Sequence, residues 1–466
     1  MDMNIVFYST NPTRFDGALF HHYTNPPYGT LIDEVASLYP NDSLFIASQA
    51  PGFFLFDMND ADISCTAKNA TYIQLQGQNY ERIADELIAL KPDIVVAVSF
   101  WTPPFDWLSL NDALVAETLS QRGVKVISNS VETQMLCFDK KVTHDFLKSN
   151  GFSTAKALYI RHSLFWAERN NLEVKENVYK DYIFREIKKL RFPIVVKDTV
   201  GLSSFSVDVL RTLNEAKAYL TSKKNNGDRL VEEFIEGEQF GAEIYGSNGR
   251  YDIFGPFTFS VNQYGITSPK QSIRFGPVLS EKYNGEEMKQ ELVRLATLLH
   301  INGVCQVDLV FSEAQKKWFI IEINPRLSGM TKTVSAAYNF NPLLALLDCE
   351  RAFGAVQDQR LPQPLESNLN RNDDTAHVKQ YEFALSIKLP LLSKSDLKRL
   401  FHFECVKSVS QSSNDAARQR REKGFCEVIL SSPSKEDLKR ALEKIEVSFS
   451  TPAEKAFFAT AQDFLS

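Results

Sequence analysis

Apolar residues come along this chain in short β-rich runs, and the spacing between the runs changes part-way. Residues 4–8, 43–48, 93–98 and 124–127 read as strands, separated by helical stretches at 30–38, 80–90 and 113–122. Strands alternating with helices predict a parallel sheet. The first strand leads into a polar segment with His21, His22, Tyr23, Asn25, Pro26 and Pro27, which reads as a solvated loop. Residues 133–149 follow a helical pattern, and 164–190 are charged and mostly helical. Runs at 192–197, 207–210, 229–235, 240–245 and 251–261 then follow one another, with a turn at 236–239, as an antiparallel sheet requires. Further helices are expected near 214, at 286–300 and at 342–353. Residues 357–377 are rich in Pro, Asn, Asp and Gln and read as a linker. The tail carries strand signals at 383–389 and 426–430, and a helix over 434–445 with Ser434 as its N-cap.

One stretch, 305–329, stands out. Residues 304–311 and 318–323 are apolar and β-rich, and the six between them are polar, which predicts a hairpin. Asp308, Glu322 and Asn324 interrupt its apolar runs. Glu322 and Asn324 share a face, because side chains alternate along a strand. Asp308 can lie beside them on the neighbouring strand. Two carboxylates and an amide then converge, an oxygen set suited to a hard cation. Without a cation such carboxylates on an apolar hairpin would be costly. Arg326 follows two residues later, within reach of an anion at the metal. Glu-x-Asn-Pro-Arg alone fits an ordinary hairpin with its acids in water equally well; Asp308 one strand earlier tips the reading to a metal site.

Composition adds limits. At 466 residues, with 44% apolar and 24% charged, the chain reads as a soluble globular protein of two or three domains. A net charge of -6 offers no basic face for nucleic acid. Six scattered cysteines with no Cys-x-x-Cys pair read as reduced, buried thiols of a cytoplasmic enzyme. No run approaches the roughly 20 apolar residues of a membrane span, and the N-terminus lacks the pattern of a signal peptide. No G-x-G-x-x-G, Walker sequence, kinase catalytic loop, G-x-S-x-G or His-Glu-x-x-His occurs.

The ordered motifs resemble the ATP-grasp superfamily over about 138–353. Asp139-Lys140 and Phe192-Pro-Ile-Val-Val-Lys197 are similar to its two phosphate lysines. Gly201, Ser203 and Ser204 resemble its flexible loop over the phosphates. Glu232, Glu233, Phe234 and Ile235 resemble the hinge that holds adenine. Where the family often places a ribose-binding Glu, this chain has Gln239, with Glu238 beside it, so the ribose contact stays open between them. Asp308, Glu322 and Asn324 fall where the metal ligands lie, and Arg326 where the anion-holding arginine lies. Arg274 is a second candidate for the phosphate or the substrate acid. The tail from Gly424 resembles the small subdomain of L-amino-acid ligases and carnosine-synthase-like members.

The resemblance implies an α/β chain with an ATP-grasp fold, preceded by a Rossmann-like domain and followed by a small α/β domain. The expected boundaries are 1–130, 131–356 with a flexible small lobe at about 155–235, the linker 357–377, and 378–466. It implies an ADP-forming ligase using ATP and Mg²⁺ (or Mn²⁺). The enzyme would activate a small carboxylate as an acyl phosphate and join it to an amine, amino acids in the first place. A homodimer is left open. The alternatives are a bicarbonate-activating carboxylase-type enzyme and a nucleotide-binding module without chemistry.

Overall fold

The structure, a computed structural model, describes residues 3–10, 14–15, 18–49, 57–59, 62–64, 66–99, 108–200, 207–261, 273–354, 381–414, 425–449 and 452–465. The expected linker 357–377, Gly201, Ser203 and Ser204 lie outside them.

Five strands near the N-terminus pair in parallel, in the order Thr71–Leu75, Ser43–Gln49, Asn4–Ser9, Ile94–Ala97, Lys125–Ile127. Ile5 and Phe7 pack on one face with Ile32 and Val35 of helix Gly29–Leu38. Val6 and Tyr8 pack on the other with Ile83 and Leu87 of helix Tyr80–Ile88 and Leu119 of helix Leu108–Gln121. A strand buried on both faces has to be apolar at nearly every position, which is how 4–8 and 93–98 read. The edge strand Thr71–Leu75 escapes the sequence pattern because Thr71, Tyr72 and Gln74 are exposed.

The helix expected over 133–149 is two helices, Val131–Phe138 and Lys140–Ser149. Asp139 between them leaves helical geometry and accepts hydrogen bonds from the backbone N–H groups of Lys141 (2.8 Å) and Val142 (3.2 Å). The apolar period runs through the break, so the aspartate's capping role is hidden in the pattern. A four-stranded antiparallel sheet follows, ordered Ala157–Ile160, Arg229–Glu233, Ile194–Asp198, Val207–Leu210. Ile160, Phe165, Ile183, Ile194 and Val231 form its core.

The largest sheet has ten strands. Its order is Lys317–Asn324, Gly303–Ser312, Glu238–Ser247, Arg250–Phe259, Ile273–Gly276, Phe383–Pro390, Phe425–Ser432, Val406–Asn414, Ala18–Asn25, Arg14–Phe15. Two expectations change here. The segment with His21 and His22 is strand rather than loop, paired antiparallel with Val406–Asn414. The tail strands do not build a sheet of their own: Phe383–Pro390 pairs with Ile273–Gly276 and extends the central sheet. Among the described residues no helix is long and apolar enough to cross a membrane.

Candidate active site

The alternation of Gly303–Ser312 sorts its side chains between two environments. Cys305, Val307, Leu309 and Phe311 enter the core with Phe240, Ile244 and the helix residues Leu292 and Leu295. Gln306 and Asp308 take the opposite face. Register places Asp308 opposite Glu322 and Gln306 opposite Asn324, and on the other side Asp308 opposite Gly241. The hairpin has a bulge after Asp308. Ile321 is the residue passed over, and it is 37% exposed. Beyond the bulge Ile320, Phe319 and Trp318 resume the pairing.

A chain of hydrogen bonds links these groups. Arg326 Nη2 donates to Asn324 Oδ1 (2.9 Å), Asn324 Nδ2 donates to Gln306 Oε1 (2.9 Å), and Gln306 Nε2 donates to Asp308 Oδ1 (2.7 Å). Lys140 Nζ lies 2.9 Å from Glu322 Oε1, and Lys197 Nζ lies 2.6 Å from Glu232 Oε2. The two lysines are brought together by backbone: Lys140 N–H donates to Thr199 O (2.7 Å), just past the strand that ends at Asp198. Lys140, Lys197, Glu232 and Glu322 line one cleft. Lys140 and Glu322 also line a second cleft with Asn324 and Arg326.

The charges are strongly perturbed. Burial and the facing Glu322 carboxylate push Asp308 up to about 7. Burial also acts to raise Glu322, but the Lys140 ammonium, then Lys197 and Arg326, hold it below the ordinary carboxylate range. Among the described residues no group of three His, Cys, Asp or Glu side chains is arranged to hold a metal. The donors here are two carboxylates and two amides. That all-oxygen set fits a hard divalent cation, which would relieve the repulsion raising Asp308.

The turn after Asn324 is pinned from several sides. Asn129 Nδ2 (2.9 Å) and Gln134 Nε2 (2.8 Å) both donate to Pro325 O. Ser328 Oγ and Thr331 Oγ1 each donate to Glu243 Oε1 at 2.7 Å, and Tyr245 OH donates to Oε2 at 3.1 Å. Glu243 is fully buried, and burial raises its pKa against the pull of these donors. Arg274 Nη1 donates to Gly329 O (2.7 Å), so Arg274 meets the far end of this turn rather than the lysines.

The hinge residues divide. Glu232 points to Lys197, whereas Glu233 accepts from Arg191 N–H (3.0 Å) on the other side. Phe234 N–H donates to Pro193 O (3.0 Å), and Phe234 O accepts from Arg191 Nη2 (3.0 Å); Ile235 continues past the strand. Glu238 is occupied by Lys282 Nζ (2.8 Å) and Tyr283 OH (2.5 Å). Gln239 opposes Val310, two residues along from Asp308, so it shares the face of Asp308. Sequence reading missed Gln306 and Glu243. The signal was the same as for Asp308, a polar residue breaking an apolar alternation.

Residues 137–330 match the family model of the ATP-grasp domain. The chain carries an ATP-grasp domain over that span. The matched span holds Lys140, Lys197, the hinge and the whole Asp308–Arg326 site. The chain is similar to the carbamoyl-phosphate synthase of Methanobrevibacter smithii, at 23% identity over 69% of the chain and 80% of the relative. It is also similar to the D-alanine–D-alanine ligase of Francisella philomiragia, at 20% identity over 59% and 86%. In fold it resembles the crystal structure of the L-amino acid ligase from Bacillus licheniformis, with a TM-score of 0.60 at 15% identity. That likeness covers 96% of this chain and 97% of the other.

Proposed function

We propose that this ATP-grasp chain is an ADP-forming ligase that joins a small carboxylate to an amine, with amino acids as the first substrates to test. The observation that carries the reading is the meeting of two lysines, two carboxylates and Arg326 along two neighbouring clefts. Lys140 and Lys197 would bind the ATP phosphates as point charges. Backbone groups of 232–235 would hold adenine, and Gln239 the ribose, since Glu238 is taken up by Lys282 and Tyr283. Asp308, Glu322 and Asn324 would hold Mg²⁺ (or Mn²⁺). The metal, when bound, supplies charge that offsets the transferring phosphoryl group.

The substrate carboxylate oxygen attacks the γ-phosphorus, the bond to the bridging oxygen breaks, and ADP leaves. The amine nitrogen then attacks the acyl carbon. Arg326 would hold the acyl phosphate and the oxyanion that forms. The carbon–oxygen bond to phosphate breaks, phosphate leaves, and the nitrogen gives up a proton. Arg274, at the end of the turn nearest Gly329, would hold the substrate acid or the departing phosphate.

A second reading has bicarbonate as the acid. The likeness to a carbamoyl-phosphate synthase favours it, because carbamoyl phosphate is a one-carbon acyl phosphate. One experiment separates the two. Carboxylate-¹⁸O-labelled amino acids are supplied with Mg-ATP and an unlabelled amine pool, and phosphate is examined by mass spectrometry. The ligase reading expects one ¹⁸O in the phosphate for each amide formed. ADP formed only on addition of bicarbonate, with no label transferred, would favour the second reading and overturn the first.

A further inference from the structure

We propose that Glu427, on the C-terminal strand Phe425–Ser432, is a positioning residue that aims Arg274 at the turn Arg326–Gly329. The tail strands would then complete the catalytic site. The inference rests on the ligase reading above, in which Arg274 touches the substrate acid or the phosphate.

Register carries one sheet face from the metal hairpin to the tail. Asp308 faces Gly241; a Cβ at Gly241 would meet Phe259 Cζ at 2.4 Å. Phe259 is opposite Arg274, Arg274 is opposite Ser386, and Lys388 is opposite Glu427. Ser386 and Lys388 are two apart and share that face. Arg274 is therefore the link between the hairpin side of the sheet and its tail.

Its guanidinium is held at two points. Nη1 donates to Gly329 O at 2.7 Å and to Glu427 Oε1 at 3.2 Å. Ser386 Oγ donates to the same Oε1 at 2.9 Å, so the carboxylate is itself fixed. The side chains of Arg274 and Glu427 are only 14% and 12% exposed. A Cβ on Gly329 would stand 3.2 Å from Arg274 Nη2, so the turn and the guanidinium are in close contact. A free arginine side chain has many rotamers to lose when it is ordered. A buried, charge-assisted bond to a fixed carboxylate settles that freedom before substrate arrives. Burial and the Arg274 charge lower the Lys388 ammonium to about 8, with Glu427 pulling the other way. This supports the view that the three charges are arranged around one another.

A bland ion pair that only fastens the tail to the sheet would show the same distances. The two readings part in kinetics. Full-length wild type, Glu427→Gln and Glu427→Ala are compared for ADP release from Mg-ATP with pooled standard L-amino acids, alongside thermal unfolding. Misplacing a catalytic group by about 1 Å can cost on the order of 10²-fold. Glu427→Ala should lose roughly that much kcat while its KM for ATP stays within about threefold. Glu427→Gln keeps an acceptor but not the charge and should fall in between, at about tenfold. Either folded variant turning over within about twofold of wild type overturns the proposal, whatever its melting temperature. If Ala fails to fold, Gln decides. Wild type releasing no ADP with any pool would instead sink the ligase reading, and the positioning role with it.

Discussion

At the scale of single residues, burial and the neighbouring cations together decide which acids carry charge. Asp112 sits at the carboxyl end of the parallel sheet, where its Oδ1 accepts from Thr10 N–H (3.1 Å) and Thr10 Oγ1 (2.6 Å). Burial outweighs these bonds and raises it from 3.8 to about 6. The sign follows by linkage. Between about 4 and 6 the folded chain holds a proton that the unfolded chain has released, so stability falls as pH rises through that window. The full effect is of order 3 kcal/mol, at about 1.36 kcal/mol for each pKa unit. Asp112→Asn keeps an acceptor at Oδ1 and carries no charge. Its stability relative to wild type should therefore improve between pH 4.5 and 7.5, read as the difference in urea midpoints. Parallel pH dependence in both proteins would contradict it. Legibility at this scale was uneven. Asp308, Glu322 and Asn324 were readable because each breaks an apolar strand. Gln306 and Glu243 break theirs too, but a lone amide or acid in a strand has many explanations, and only the pairing shows that Gln306 bridges Asn324 and Asp308 while Glu243 holds the turn after them. Glu427 could not be found at all, since its partner Arg274 is 153 residues away.

At the scale of elements, the hairpin was legible and its surroundings were not. Period-2 alternation predicts the strands Gly303–Ser312 and Lys317–Asn324 well, because one face is a dense core. Phe240, Tyr283, Phe311 and Trp318 meet there at ring centroid distances from 5.0 to 6.4 Å, mostly edge to face. Such pairs add about 0.5–1.5 kcal/mol each beyond their burial. The break at Asp139 and the strand start at Glu238 depend on caps and close approaches that a pattern does not record. Gly237 is one such approach: a Cβ there would lie 2.2 Å from Phe311 O, a backbone atom that cannot swing aside. Gly237→Ala should destabilise the protein by about 1–3 kcal/mol, the usual cost of overpacking, in chemical denaturation. A wild-type midpoint would mean that the hinge and the strand Gly303–Ser312 are not pressed together as described.

At the scale of the whole molecule, the sheet joins segments far apart in sequence. Ala18–Asn25 pairs with Val406–Asn414, and Phe383–Pro390 with Ile273–Gly276. No local signal specifies such partners, which is why His21 and His22 read as loop and the tail read as separate. The order of the motifs survived this, because lysines, hinge and hairpin each sit on locally readable strands. In the proposed mechanism the lysine–carboxylate cleft binds Mg-ATP and Arg326 acts only once the phosphoryl group moves. The most direct test measures ATP affinity and amine-dependent ADP formation side by side in wild type, Glu322→Gln and Arg326→Ala. Glu322→Gln should weaken Mg-ATP binding and turnover together. Arg326→Ala should bind ATP nearly as wild type does and lose on the order of 10²–10³ in rate, the usual loss for one donor to a developing oxyanion. Normal turnover by Arg326→Ala on an acid–amine pair would contradict the account, even with the fold intact.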